Sequence, residues 1–193
     1  MNTETSVRMV GGMSQNRSES DFYPTPRECT EALLGFLGLP KWHFIWEPAC
    51  GNGAISKALG ENGYNHVIST DLNDFGFGNC GHDFLKTNWI SSRIPNFIIT
   101  NPPFFLAEQF IRHAYELDIP FAFLLKAQFW NAAKRKDLFR ECTPNFICPL
   151  TWRPDFTGGG ASLMDMNWNI WYGKRPAKYT DYLPLDKPEG NRK

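Results

Sequence analysis

Cysteine is sparse in this chain of 193 residues, which has five, at positions 29, 50, 80, 142 and 148. The number is odd and no Cys-x-x-Cys pair occurs, so the pattern suggests neither a disulfide framework nor a zinc ribbon. Reduced thiols in an intracellular, cytoplasmic protein are the expectation. No apolar run is long enough to cross a bilayer. The first twenty residues, MNTETSVRMVGGMSQNRSES, lack the apolar core of a secretory signal. No membrane partner is therefore expected. Net charge is also missing, because twenty Lys and Arg balance twenty Asp and Glu. That excludes the heavily basic style of nucleic-acid binder and leaves room only for a local basic face.

Apolar residues are plentiful. At 42% hydrophobic and 15% aromatic the chain can bury a substantial core, and at 21% charged it is not a disordered polyelectrolyte. The length suits one domain. The polar, Ser- and Asn-rich residues 1–20 read as a flexible arm, 21–176 as the folded body, and 177–193, with Pro, Gly and charge, as a tail.

Within the body, helical and strand patterns alternate. Thr25-Pro26 reads as a helix start, with Thr as N-cap and Pro in the first helical position. Strands are expected at 42–47, 66–71, 96–101, 120–125, 146–150 and 168–172. Helices are expected at 54–62 and 105–117, and a basic helix at 126–140. A long loop, 151–167, carries Gly158-Gly159-Gly160. This alternation predicts an open, mostly parallel α/β sheet, whose ligands sit outside the carboxyl ends of the strands.

Chemistry-bearing residues fall at those ends. Glu47-Pro48-Ala49-Cys50-Gly51-Asn52-Gly53 takes a strand into a helix through a glycine turn, and glycines let a ligand approach the backbone. The spacing is not Gly-x-Gly-x-x-Gly, since residue 56 is Ser, which disfavours a pyrophosphate cradle. Asp71 ends the next strand, where a carboxylate can accept from both ribose hydroxyls of a nucleoside. Taken singly, these read equally well as a tight turn and a solvated acid. Asn101-Pro102-Pro103-Phe104 ends a third strand. The two prolines stiffen the backbone. The Asn101 amide oxygen and the Pro102 carbonyl can each accept one hydrogen of an NH2 group, and Phe104 offers a face for a planar ring. A Pro-Pro turn closing a strand is the plainer reading of the tetrapeptide alone.

The order Tyr-Pro-Thr-Pro, Glu-Pro-Ala-Cys-Gly-Asn-Gly, strand-end Asp, then Asn-Pro-Pro-Phe resembles the class I S-adenosylmethionine-dependent methyltransferases. More narrowly it resembles the DNA adenine-N6 methyltransferases of small phage type, over about 21–176. The resemblance implies a Rossmann-like fold with helices on both sheet faces, and S-adenosylmethionine as cofactor without a metal. It implies that Thr25 holds the cofactor's carboxylate, that Glu47 and the backbone of Cys50, Gly51 and Gly53 surround its amino end, and that Asp71 binds the ribose. It gives Asp83 and Phe84 to the adenine ring of the cofactor. Asn101, Pro102, Pro103 and Phe104 would hold a target base flipped out of duplex DNA. Trp152-Arg153-Pro154-Asp155-Phe156 matches a late loop facing the target pocket.

Cations for phosphate contact are sought at Lys126, Lys134, Arg135, Lys136 and Arg153, with a second cluster at Lys174, Arg175 and Lys178. A solvated helix face is the alternative for the first group. Larger members of that family carry a separate recognition domain. Only the arm, the 151–167 loop and the tail remain for that task here, which implies relaxed or short-site specificity. The same acceptors would serve cytosine N4, adenine in RNA or a glutamine amide in a protein. A non-catalytic nucleic-acid-binding module with the same fold is the reading from another class.

Overall fold

The computed structural model describes residues 23–87, 93–160, 164–174 and 177–189. The expected arm at 1–20 and Arg175 lie outside them. Eleven regular elements run as α1 (Arg27–Leu37), β1 (Ile45–Glu47), α2 (Ala54–Glu61), β2 (Val67–Ser69), β3 (Phe97–Thr100), α3 (Ala107–Glu116), β4 (Phe121–Lys126), α4 (Lys136–Glu141), β5 (Phe146–Pro149), β6 (Met166–Trp171) and β7 (Asp181–Tyr182). The seven strands form one sheet in the order β2-β1-β3-β4-β6-β5-β7. β2, β1, β3 and β4 are mutually parallel, β6 runs antiparallel to both β4 and β5, and β7 pairs parallel with β5.

Alternate side chains of a strand leave opposite faces of a sheet, and the two cores follow that period. Ile45, Phe97, Ile99, Ala122, Leu124, Trp168 and Ile170 pack with Leu33 of α1 and Ile55 and Leu59 of α2. Trp46, Ile98, Phe121, Phe123, Leu125 and Trp171 pack with Phe110, Ile111 and Ala114 of α3 and Leu138 of α4. The fold is thus a three-layer α/β/α sandwich. Right-handed crossovers explain the division. β1-α2-β2 steps towards one edge and β3-α3-β4 towards the other, so their helices fall on opposite faces. Indole hydrogen bonds tie the layers to the sheet: Trp168 Nε1 donates to the Cys29 carbonyl (2.8 Å) and Trp171 Nε1 to the Cys142 carbonyl (2.9 Å).

Four expectations need correction. Pro26, not Thr25, occupies the N-cap of α1, and no side chain caps that terminus. The strand expected from Trp42 starts at Ile45, whose N–H is bonded to the His66 carbonyl (2.8 Å); Trp42 itself is exposed. The basic helix expected at 126–140 is two short 3-10 turns, Ala127–Trp130 and Ala133–Arg135, followed by α4. One distant and one local contact accompany the break: Trp130 Nε1 donates to Asn169 Oδ1 on β6 (2.8 Å), and within the segment the Arg135 guanidinium donates back to the Phe129 carbonyl. The segment read as a tail adds β7 to the sheet and buries Leu185, whose N–H donates to the Pro149 carbonyl (2.8 Å). Elsewhere the expected ends differ by one or two residues, mostly as trimming; β6 begins two residues earlier than expected and β4 ends one later.

Candidate active site

β1 and β3 are neighbours whose crossovers leave in opposite directions, so the loops at their carboxyl ends diverge and open a crevice. A cavity of about 350 Å³ lies there. The loops after β1, β2 and β3 line it, together with Tyr23, Pro24 and Thr25 from the segment before α1. Thr25, Glu47, Cys50, Gly51, Asp71, Asp83, Phe84, Asn101, Pro102, Pro103 and Phe104 all line this one cavity.

The glycine turn is built by backbone conformation. Gly51 and Gly53 have φ of 52° and 80°, which side-chain-bearing residues rarely adopt. At Gly53 there is a second reason, since a Cβ there would run into the ring of Phe77. The Gly51 N–H donates to Asp71 Oδ2 and the Asn73 N–H to Asp71 Oδ1, both at 2.9 Å. Asp71 is therefore both a brace for the turn and an acid at the cavity wall, with lone pairs left on each oxygen. Cys50 is buried beside it. Burial, then the charges of Glu47 and Asp71, push its thiol up to about 12, so at neutral pH it is protonated and no nucleophile.

Glu47 is 1% exposed. Its Oε2 accepts from the Ser56 N–H in α2 (2.9 Å) and from the Ser56 hydroxyl. Ser56 Oγ also lies 2.5 Å from Ser69 Oγ. Both donations go to one oxygen, leaving Oε1 without either. Burial raises the acid to about 8 against the pull of the Ser56 bonds, and the nearby charge of Asp71 raises it further. A buried, near-neutral carboxyl beside a cavity is poised to respond to a cation.

Asp83 caps the 3-10 turn Phe84–Lys86, accepting from the Leu85 N–H (3.1 Å) and pairing with Lys86 (3.0 Å). Lys86 holds its carboxyl below the usual range. Phe84 is wedged between Trp46, Phe110 and His113, with centroids 4.8 to 5.2 Å away.

Across the cavity, Asn101 Nδ2 donates to Thr25 Oγ1 (3.1 Å), while Asn101 Oδ1 is buried with no hydrogen-bond partner among the described residues. The Pro103 carbonyl is used by the Leu106 N–H (2.9 Å). Phe104 stacks against Tyr23 (5.9 Å, 27°), and Tyr23 meets Phe156 edge-on (6.3 Å, 79°). Lys126 Nζ sits 4.2 Å from the Phe104 centroid. Phe156 of the late loop thus packs behind Tyr23 without lining the cavity itself.

The other cations stand apart. None of Lys126, Lys134, Arg135, Lys136 and Arg153 is among the residues that line the cavity. Lys134 and Lys136 are exposed, Arg135 lies over the Phe129 ring (3.9 Å), and Arg153 pairs with Asp165 (2.8 Å). Tyr23, Leu72 and Phe75, which the sequence did not mark for the site, and Phe110, expected only as a core residue of its helix, supply apolar wall. Leu72 was detectable as the residue after the strand-end acid. Phe75 had no signal, because it lies in an irregular loop. No group of three or more His, Cys, Asp or Glu side chains among the described residues is disposed to hold a metal, and none of their helices is long and apolar enough to cross a membrane.

No protein-family model and no curated protein sequence matches the chain. Solved structures do. A protein designated a modification subunit of a type I restriction enzyme from Vibrio vulnificus superposes with a TM-score of 0.63 at 15% identity, over 98% of this chain and 52% of that one. The methyltransferase subunit of a type I restriction-modification system from Streptococcus thermophilus gives 0.63 at 13% identity, over 84% and 47%. A protein designated a class I S-adenosylmethionine-dependent methyltransferase from Listeria monocytogenes gives 0.57 at 14% identity, over 90% and 68%. The chain spans about half the length of the first two. At these identities the likeness carries the fold alone, a Rossmann-like, mostly parallel sheet with helices on both faces.

Proposed function

We propose that this chain transfers a methyl group from S-adenosylmethionine to the N6 amino group of adenine in DNA, with relaxed or short-site specificity. The observation that carries the proposal is the buried, unpartnered Asn101 Oδ1. It ends the strand beside the topological switch point, in the cavity that also holds the glycine turn and Asp71. A buried acceptor without a donor costs free energy, and an incoming amino group would satisfy it.

The residues present suit the cofactor. Asp71 has lone pairs for ribose hydroxyls, Phe84 and Leu72 offer apolar contact for an adenine ring, and Asp83 offers an acceptor for its amino group. Glu47 and the turn at Cys50, Gly51 and Gly53 are given the amino end of the cofactor, and Thr25 its carboxylate, as the resemblance implies. When bound, S-adenosylmethionine supplies an electrophilic methyl group on a sulfonium.

The chain's own part is preorganisation. Asn101 Oδ1 and the Pro102 carbonyl accept the two amino hydrogens, favouring a tetrahedral nitrogen and supporting the positive charge that develops on it. Pro102 and Pro103 keep those acceptors from swinging. Phe104, backed by Tyr23 and Phe156, stacks on the base and repays part of the few kcal/mol needed to flip it from a duplex. Lys126 adds a cation beside that ring. Exposed Lys134 and Lys136 contact phosphates, which every sequence presents alike. Cytosine-C5 chemistry needs a thiolate, and the protonated Cys50 does not provide one.

Asn101→Ala tests the assignment. It is expected to remove methyl transfer to DNA, by about 100-fold or more, while calorimetry finds cofactor affinity within about threefold of the parent, since the amide faces the base. A variant that keeps most of its turnover contradicts the proposal.

A further inference from the structure

We infer that Phe105 is a wedge that enters the duplex where the target base has left it. The inference rests on the function proposed above and adds a residue to it: Asn101 to Phe104 receive the base, and Phe105 fills the gap behind it.

The direction of the Phe105 ring follows from its neighbours. Phe104 packs against the core on the α1 face of the sheet and Leu106 against the core on the α3 face. Residue 105 lies between them, just past the carboxyl end of β3, and belongs to neither core. Phe105 is 62% exposed. Phe104 has Tyr23 stacked on it at 5.9 Å, whereas no ring among the described residues stacks on Phe105. Phe105 nevertheless lines the cavity beside Asn101, Pro102 and Phe104. A residue that is both largely exposed and part of the lining stands at the cavity mouth.

The support beneath the ring is stiff. Pro102 and Pro103 fix φ on one side. On the other, the Leu106 N–H donates to the Pro103 carbonyl and the Phe110 N–H to the Leu106 carbonyl, both at 2.9 Å, so the turn runs straight into α3. Phe105 is therefore a crest between two anchored segments. Lone apolar side chains are common on protein surfaces, so the argument for Phe105 is its place. Leu72 and Phe75 are also exposed at this cavity, but they follow β2, beyond β1, on the side of Asp71. Phe105 adjoins the residues proposed to take the base.

A base swung out of a duplex leaves its two neighbours about 6.8 Å apart, twice the rise of about 3.4 Å, which is room for one planar ring. An aromatic ring in that gap restores stacking on both sides, takes its own apolar surface out of water and blocks the return of the base. The cost of flipping, on which duplex turnover depends, falls accordingly. A phenylalanine has no polar atom to desolvate in such a gap.

The test compares duplex DNA with single strands of the same sequence, which have no paired stack to refill. Phe105→Ala is expected to lower kcat/KM on the duplex about 10- to 100-fold and on the single strand by no more than about threefold, with calorimetric affinity for S-adenosylhomocysteine within about threefold of the parent. Phe105→Trp keeps a planar ring and should hold duplex kcat/KM within about fivefold. Duplex kcat/KM within about twofold of the parent in Phe105→Ala overturns the inference. So does an equal loss on both substrates, which would make Phe105 part of the base pocket, and so does a variant whose only defect is weaker cofactor binding.

A second readout needs no turnover. 2-Aminopurine brightens when it leaves a base stack, and a mixed-sequence set of short duplexes can carry it in place of adenine. With S-adenosylhomocysteine bound, the parent should brighten these duplexes, and Phe105→Ala at saturation should give less than about a third of that rise. Equal brightening by both proteins, or none by the parent, overturns the wedge. A parent that brightens the duplexes only with Phe105 in place, yet methylates no DNA, refutes the proposed function and leaves the wedge standing.

Discussion

Glu47 predicts a pH-dependent cofactor affinity of definite sign. An ordinary carboxyl is fully ionised at pH 6, but burial raises this one to about 8, so roughly one molecule in a hundred carries the charge at that pH. S-adenosylmethionine brings a sulfonium and an ammonium, and the ionised form of Glu47 is the one that attracts them. Binding must then be accompanied by loss of a proton. Each pH unit below the free-protein value costs up to about 1.36 kcal/mol, or tenfold. Between pH 5.5 and 7.5, a range that ends below the ordinary value of an α-amino group, affinity should rise by up to about 100-fold. The limit is set by how far the bound cations pull Glu47 down.

Titration calorimetry in two buffers of different ionisation enthalpy should count close to one proton released per cofactor at pH 6. Glu47→Gln keeps an acceptor for Ser56 but has nothing to ionise, and its affinity should be flat across the range. Stability without cofactor runs the opposite way. The folded value lies above the unfolded one, so Glu47's contribution is complete below about pH 4.5 and is lost as pH rises through about 8. Parent affinity constant within twofold from pH 5.5 to 7.5, or a Glu47→Gln slope equal to the parent's, would refute the reasoning.

Gly53→Ala should lower the melting temperature by roughly 4–8 °C, from about 2 kcal/mol of positive-φ strain and a displaced Phe77 ring; a scanning calorimetry trace matching the parent contradicts that account of the turn. Changing Lys134 and Lys136 to Ala should weaken all DNA sequences alike and reduce the slope of log affinity against log salt by up to about 2, as fluorescence anisotropy would report; an unchanged slope removes these lysines from the interface. Arg135→Ala, by contrast, should appear mainly in thermal stability, because its guanidinium is held on the Phe129 carbonyl and ring; a full loss of DNA binding at unchanged melting temperature would overturn that division.

Much of the fold was legible because two kinds of pattern are written into the chain. Unbroken apolar runs at Phe97–Thr100 and Phe121–Lys126 and helical spacing at Ala107–Glu116 mark a sheet covered on both faces. Direction is not written there. Nothing in the pattern of Met166–Trp171 says that it runs against β4, since a strand's period is the same read either way. The two residues of β7, both exposed, are too few to make a pattern at all. The segment 126–140 does not itself show the contact that accompanies its break, Trp130 with Asn169, because the partner lies far away in sequence. The residues singled out by strand-end position, Glu47, Asp71 and Asn101, line one cavity. What sequence could not show was how side chains share work: Asp71 bracing Gly51, Ser56 holding Glu47, and Thr25 turning from its helix towards Asn101.

The central claim is methyl transfer to adenine N6 in DNA. Its most direct test is incubation of the protein with methyl-labelled S-adenosylmethionine and equal amounts of duplex DNA, RNA and protein acceptor, followed by digestion of each to nucleosides or amino acids and chromatographic identification of the labelled species. The account predicts N6-methyladenine from the DNA, drawn from many sequence contexts. Label found only in RNA, in protein or in another DNA base, or none at all, would contradict it.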